Sequence, residues 1–246
     1  MKADPADQRR LLDLAEVDAE LARLAHRRRS LPEDAEHAQA ETAVRSAKDK
    51  LVEVETSAGD LDRDIRRLER DVEAVRARTV RDQQLLAGAG IGAKQASDLQ
   101  HELETLARRQ GVLEDEQLEV MEQREAVGID LDHARGDLAR AEQTLADVGA
   151  RRDSALADIA AAEAGRERAR AEVVAQMGAA DLLAAYEARR SQGKVGAGLL
   201  RERRCGACRL ELDRTFIGQL RAAAADDVVP CEECGAILVR TAESSL

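Results

Sequence analysis

Tryptophan is absent from this 246-residue chain, and its aromatic residues amount to one tyrosine and one phenylalanine. Large aromatic side chains fill globular cores, so a conventional enzyme fold is not expected. No apolar run approaches the roughly 20 residues that span a bilayer, and residues 1–30 lack the apolar stretch of a secretory signal. The expectation is a cytoplasmic protein with no membrane contact. Base is not in excess either: 38 Lys and Arg face 49 Asp and Glu, a formal charge of −11. A chain with that balance does not coat nucleic acid along its length, and any such contact must be local.

What is abundant is Ala, Leu, Glu, Arg and Val, with 35% of residues charged. These are helix formers and coiled-coil residues, and they point to long helices. Steps of four and three lead from Leu99 through Leu106, Leu113, Val120, Val127, Leu131, Leu138, Leu145, Val148, Ile159 and Val173 to Leu183. A strict seven-residue repeat held this long implies a left-handed supercoil with a partner helix. The partner lies upstream: Val44, Leu51, Val54, Ala58, Leu61, Ile65, Leu68, Val72 and Val75 keep the same spacing, and Leu14, Val17, Leu21, Leu24 and Leu31 keep it in another phase.

The stretch SLPED explains the phase change, because Ser30 can cap and Pro32 suits the first turn of a new helix. A kink or break is expected at residues 30–32. Between the long helices lies LLAGAGIGAKQASD, where Gly88, Gly90 and Gly92 disfavour helix and Ser97 or Asp98 can cap the next one. This predicts a hairpin tip at residues 86–97 and antiparallel packing, with a second arm of about 90 residues at roughly 1.5 Å each. That arm is expected to stop at RRSQGKVGAG, with Gly193, Gly196 and Gly198 acting as a hinge. Gln110, Gln117, Arg124, Arg152 and Arg166 at seam positions read as residues that fix register and reach water by their long stems.

All four cysteines sit near the end of the chain. Cys205 and Cys208 form one CxxC, Cys231 and Cys234 another, with 22 residues between. Two such turns close a thiolate tetrahedron around Zn²⁺, whereas thioredoxin-type redox chemistry needs one pair in a βαβ context. ERRCGACRLEL and VVPCEECGAILV each read as strand, tight turn, strand, with Gly206 and Gly235 easing the turns. So short a segment buries little core, and the metal substitutes for it. The expected fold class is mainly α: a long antiparallel coiled-coil helical hairpin over residues 1–192, then a small C-terminal β zinc ribbon over 199–246.

Arg203, Arg204 and Arg209 are placed to offset the −2 charge of a tetrathiolate zinc site. With Arg189, Arg190, Lys194 and Arg201 they make the most basic stretch of the chain, a candidate contact for RNA, DNA or a protein partner. The stretch from Arg189 to Arg209 contains no aromatic residue to stack bases. His26, His37, His101 and His133 are scattered on helices without a nucleophile, and a two-helix seam encloses no pocket, so neither catalysis nor a small-molecule substrate is expected.

The chain resembles the bacterial C4-type zinc ribbon domain-containing family, a coiled-coil hairpin followed by a tetrathiolate ribbon. The resemblance rests on QRRLLDLAEVDAELARL, SDLQHELETLARRQGVLEDEQLEVMEQREAV, LLAAYEARR and the CGAC and CEECGAIL knuckles. It implies ligand roles for Cys205, Cys208, Cys231 and Cys234, and scaffold work. Members are similar to proteins that bind an alternative sigma factor, secretion or flagellar components and, in one case, messenger RNA. Where the family has Pro and Arg in its second knuckle this chain has Glu232 and Ala236, which removes a positive charge. The leading expectation is therefore a non-enzymatic adaptor whose hairpin meets protein partners. An alternative is a transcription regulator whose hairpin tip acts in RNA polymerase, although the tip AGAGIGAK has Asp82 and Asp98 only on its flanks.

Overall fold

A computed structural model describes residues 1–88 and 90–244. In chain order the elements are α1 (Pro5–Arg29), α2 (Pro32–Ala87), α3 (Ala93–Ala175), α4 (Ala180–Arg190), β1 (Ala197–Arg201), β2 (Arg204–Cys205), α5 (Arg214–Ala222), β3 (Val229–Pro230) and β4 (Ile237–Val239), closed by a 3₁₀ turn over Ala242–Ser244. The protein is mainly α, with a long helical hairpin and a small C-terminal strand region. Contacts divide it into two compact units: Glu33–Arg151, and Met1–Pro32 together with everything from Arg152 onward. This division differs from a boundary at 192–199, because α1 groups with the ribbon.

The first of these units is the hairpin proper. Arg76 pairs with Glu114 at 2.7 Å, Arg124 with Asp62 at 2.8 Å and Arg151 with Glu36 at 2.6 Å, so residue numbers fall along α2 as they rise along α3. The two helices are antiparallel. Val44, Val54, Ala58, Leu68 and Val72 are buried on α2, and Leu106, Leu113, Ala134 and Val148 on α3. All lie in the expected seam. Arg124, a seam residue, turns its guanidinium out to Asp62, while Gln110 donates to Glu114 at 2.8 Å. The tip departs from its expected capping: α3 begins at Ala93, so Ser97 and Asp98 lie inside the helix. Residues 93–96, AKQA, favour helix and extend it back to Gly92, whose carbonyl accepts from Ala96. Ala89, within the expected tip, lies outside the described residues, as do Ser245 and Leu246.

In the other unit, Asp4 caps α1 by accepting from the Ala6 N–H at 2.7 Å, and Pro5 opens the helix. Ser30 closes α1 instead of opening α2; its hydroxyl donates to the His26 carbonyl at 3.0 Å. α2 then starts on Pro32. The strands form one sheet in the order β2-β1-β4-β3, in which β1 and β4 are parallel and the outer pairs antiparallel. Side chains alternate across it. Ala197, Ile237 and Val239 face a core with Leu11, Leu14, Leu182 and Tyr186 from α1 and α4. Leu200 and Leu238 face the opposite core with Leu212, Ile217, Leu220, Cys205 and Cys231. A helix, α5, fills that second side, in the segment between the two stretches expected to form strands; Asp213 caps it by accepting from the Thr215 N–H at 2.6 Å. Even the first residues pair with the segment that leads into β3: Ala3 N–H donates to the Asp226 carbonyl and Val228 N–H to the Met1 carbonyl.

Two further expectations are overturned in this unit. The second arm does not run unbroken past Val173, because α3 ends at Ala175 and α4 starts at Ala180. The heptad spacing continues, but packing decides: Gly178 N–H donates to buried Asp7, and the break lets α4 lay Leu182 and Tyr186 on the sheet. Nor are the glycines after α4 a hinge. Gly193, with φ +71°, does end the helix, yet a Cβ on Gly196 would stand 2.3 Å from the Tyr186 ring, and one on Gly198 2.5 Å from the Ala207 backbone nitrogen. These two glycines are sites of close packing. Arg240 was not foreseen at all: it donates to the carbonyls of Leu220, Ala223, Ala224 and Asp227, satisfying the end of α5 and the loop that follows.

Candidate metal centre

Both knuckles are built to the same hydrogen-bond plan. In the first, Arg209 N–H donates to the Cys205 carbonyl at 2.7 Å and Cys205 N–H to the Leu210 carbonyl at 3.0 Å. The second repeats this spacing, with Gly235 N–H to the Cys231 carbonyl at 2.7 Å and Cys231 N–H to the Ala236 carbonyl at 2.7 Å. The fifth residue of each turn has positive φ: +66° at Arg209 and +72° at Gly235. So Gly235 eases its turn as expected, but the equivalent of Gly235 in the first knuckle is Arg209, not Gly206. Gly206 serves another purpose, since a Cβ there would lie 2.7 Å from the Leu199 carbonyl oxygen of β1.

The plan brings four sulfurs together. Cys205 and Cys231 are buried and Cys208 and Cys234 half-buried, with all four Sγ atoms within 4.8 Å of one another. Zn–S bonds of about 2.3 Å require tetrahedron edges of about 3.8 Å. The Cys205 and Cys234 sulfurs lie 3.8 Å apart, so the set fits Zn²⁺. Burial pushes the Cys205 thiol up to about 12 and raises Cys234, whereas the Leu210 backbone N–H holds Cys208 below the ordinary thiol value. Because the metal takes thiolates, binding releases these protons and weakens as pH falls.

The basic stretch is placed piecemeal. The Arg189 guanidinium donates to the Cys234 carbonyl and to the Val195 carbonyl, tying α4 to the second knuckle. Arg190 pairs with Asp18 at 2.9 Å and with Glu187. Arg203 and Arg204 both reach Glu211, at 3.4 and 3.9 Å. Among the described residues, Lys194, Arg201 and Arg209 have no carboxylate within ion-pair distance. Four of the seven cations are therefore engaged within the protein. Replacing Arg189 with Met is expected to speed zinc loss to a chelator about tenfold, since groups that orient metal ligands matter on that scale. Competition with a chromogenic chelator measures it.

Tyr186 is the functional-looking residue that sequence reasoning passed over. Its ring is buried and its hydroxyl donates to Asp18 at 2.8 Å, in a cluster where Asp18 also accepts from Arg170 at 2.8 Å and Arg170 reaches Glu187. Burial, with Asp18 beside it, raises the phenol above its ordinary value. A cleft of about 540 Å³ opens beside this cluster over a floor of Ala15, Ala19, Ala22 and Ala25. Every polar member of the cluster is already partnered, and the signal available in the sequence was only a lone tyrosine.

A model of the CT398-like coiled-coil hairpin domain matches residues 14–194, and one of the C4-type zinc ribbon domain matches residues 204–238. The chain belongs to the CT398-like family. An uncharacterized protein of Mycobacterium tuberculosis is 44% identical over 98% of both chains, and one of Mycobacterium leprae is 35% identical over 91% of this chain and 96% of its own. A solved structure from Mycobacterium smegmatis has 41% identity and a TM-score of 0.87, covering 98% of this chain and all of its own. CT398 from Chlamydia trachomatis shares the fold, with a TM-score of 0.67 at 17% identity over 96% of this chain and 98% of its own. Family and cysteine geometry agree that this family member binds Zn²⁺ through its ribbon. No described helix is long and apolar enough to cross a membrane.

Proposed function

We propose that this protein is a non-enzymatic zinc-binding adaptor of the cytoplasm, whose helical hairpin binds protein partners and whose ribbon supplies a second contact. The observation that supports it best is the four-cysteine cluster itself: four protein thiolates fill a tetrahedral ion and leave no position for substrate or activated water. The ribbon is thus an organiser, and the exposed length of the hairpin is the available surface. Lys194, Arg201 and Arg209, which have no carboxylate within ion-pair distance among the described residues, favour RNA or DNA as the second contact of the ribbon.

Deleting the ribbon is a poor test, because the sheet covers Leu11 and Leu14 of α1. Site-specific photo-crosslinking in the native cell avoids this, with probes placed singly on the outer face of α3 and at Arg201 and Arg209. The adaptor reading expects discrete protein adducts from α3. Nucleic-acid adducts at Arg201 or Arg209 that fade with Lys194→Glu would establish the second contact. Absence of specific adducts from every position would overturn the reading.

A further inference from the structure

Exposed large apolar side chains gather on one part of α3. Leu118 is 59% exposed, Met121 47% and Ile129 58%, and their spacing of three and eleven from Leu118 puts them on a single side of the helix. That side is not the seam. The seam residues of the same stretch, Leu113 and Val120, pack against Leu68 and Val72. The outer stripe therefore has no partner among the described residues of the hairpin.

Its flanks are of one sign. Asp115, Glu122 and Glu125 fall on the same side, at i−3, i+4 and i+7 from Leu118, and all three are exposed. Among the described residues none of the three has a cation within ion-pair distance. The nearest basic side chain in sequence, Arg124, is drawn round to Asp62 on α2. An acidic rim in an already acidic protein repels acidic partners and a second copy of the same face, since α3 against α3 would set carboxylate on carboxylate. It selects for positive charge.

We infer that the outer face of α3 between Asp115 and Ile129 is a docking site for a cationic amphipathic helix of a partner protein, one whose apolar stripe is flanked by Lys or Arg. The apolar stripes of the two helices bury each other while the basic flanks meet Asp115, Glu122 and Glu125, the helix-on-helix form of peptide recognition. This inference rests on the adaptor reading and names the chemistry of its hairpin partner.

The test uses the full zinc-loaded chain and a synthetic helical peptide with leucines at three- and four-residue spacing and lysines on both flanks. A scrambled peptide of identical composition serves as the charge control. Fluorescence anisotropy is expected to show the amphipathic peptide binding at least about tenfold more tightly than the scrambled one. The triple variant Leu118→Ser, Met121→Ser, Ile129→Ser leaves net charge unchanged, yet should remove that preference. Glu122→Lys with Glu125→Lys should weaken binding by a similar factor. Circular dichroism checks that these exposed substitutions keep the helix. Equal binding of the two peptides, or full binding by the triple variant, overturns the inference. So would a concentration-dependent dimer in sedimentation that the triple variant abolishes, because a second copy would then be the occupant. None of these failures touches the broader reading, which stands on crosslinked partners at any hairpin position.

Discussion

Replacing Cys231 with Ser should cost the protein its zinc and unfold the ribbon, while the hairpin between α2 and α3 stays folded. Structural zinc sites contribute on the order of 10–16 kcal/mol in small peptides, comparable with the whole stability of an ordinary domain of about 5–15 kcal/mol. Cys205 and Cys231 are also core residues, packed with Leu200, Leu212, Leu220 and Leu238. Loss of the ion therefore removes the cross-link and leaves buried polar atoms in an apolar setting. The damage should extend to α1, since Leu11 and Leu14 lie against Ile237 and Val239 on the other side of the sheet. It should not reach the seam of Leu68, Val72 and Leu113, which is an apolar cluster of its own within the Glu33–Arg151 unit. Hydrogen exchange resolves the difference. Amides of β1, β4, α5 and α1 should lose protection in Cys231→Ser, and those around Leu68 and Leu113 should retain it. Uniform protection in both units would show that the ribbon stands without its metal.

The second large effect is a coupling between Tyr186 and Gly196. Tyr186→Ala empties a buried aromatic site at the meeting point of α1, α4 and β1, where such truncations cost about 3–5 kcal/mol. Gly196→Ala adds a methyl that would stand 2.3–2.9 Å from three ring atoms of Tyr186, an overpacking of about 1–3 kcal/mol or more. The two costs should not add. With the ring gone, the methyl of Ala at 196 has room, so the double variant should be no less stable than Tyr186→Ala alone, to within about 0.5 kcal/mol. Denaturant melts of the four proteins give the coupling directly. Simple additivity would mean that something other than the tyrosine ring requires glycine at 196. Tyr186→Phe belongs in the same series: it keeps the packing and removes only the hydroxyl that Asp18 accepts, at about 1–2 kcal/mol.

Much of this molecule is written in local pattern. The seam of the hairpin follows from apolar spacing, and Leu68, Val72, Leu106 and Leu113 are buried where that spacing puts them. The cysteine pairs announce a metal site because CxxC is a local turn with a fixed hydrogen-bond plan, and both copies adopt it. What could not be read was set by distant partners. The heptad spacing passes through residues 176–179 without a flaw, but the chain breaks there so that α4 can cover the sheet. Gly196 and Gly198 look like linker glycines until the Tyr186 ring and the Ala207 backbone are seen against them. Helix α5 was legible but lies between the two stretches read as strands: Asp213 caps it, and Phe216, Ile217 and Leu220 give it an apolar side. The partners of the basic stretch could not be read either, because Glu211, Asp18 and the Cys234 carbonyl meet Arg203, Arg204, Arg190 and Arg189 only in the folded chain.

Zinc K-edge X-ray absorption on the purified chain tests the central claim most directly. One ion per chain with four sulfur neighbours at about 2.3 Å and no lighter ligand is the result expected from Cys205, Cys208, Cys231 and Cys234. Two or three sulfurs with nitrogen or oxygen completing the shell would contradict it, since an exchangeable position would replace the closed organiser with an open, reactive metal.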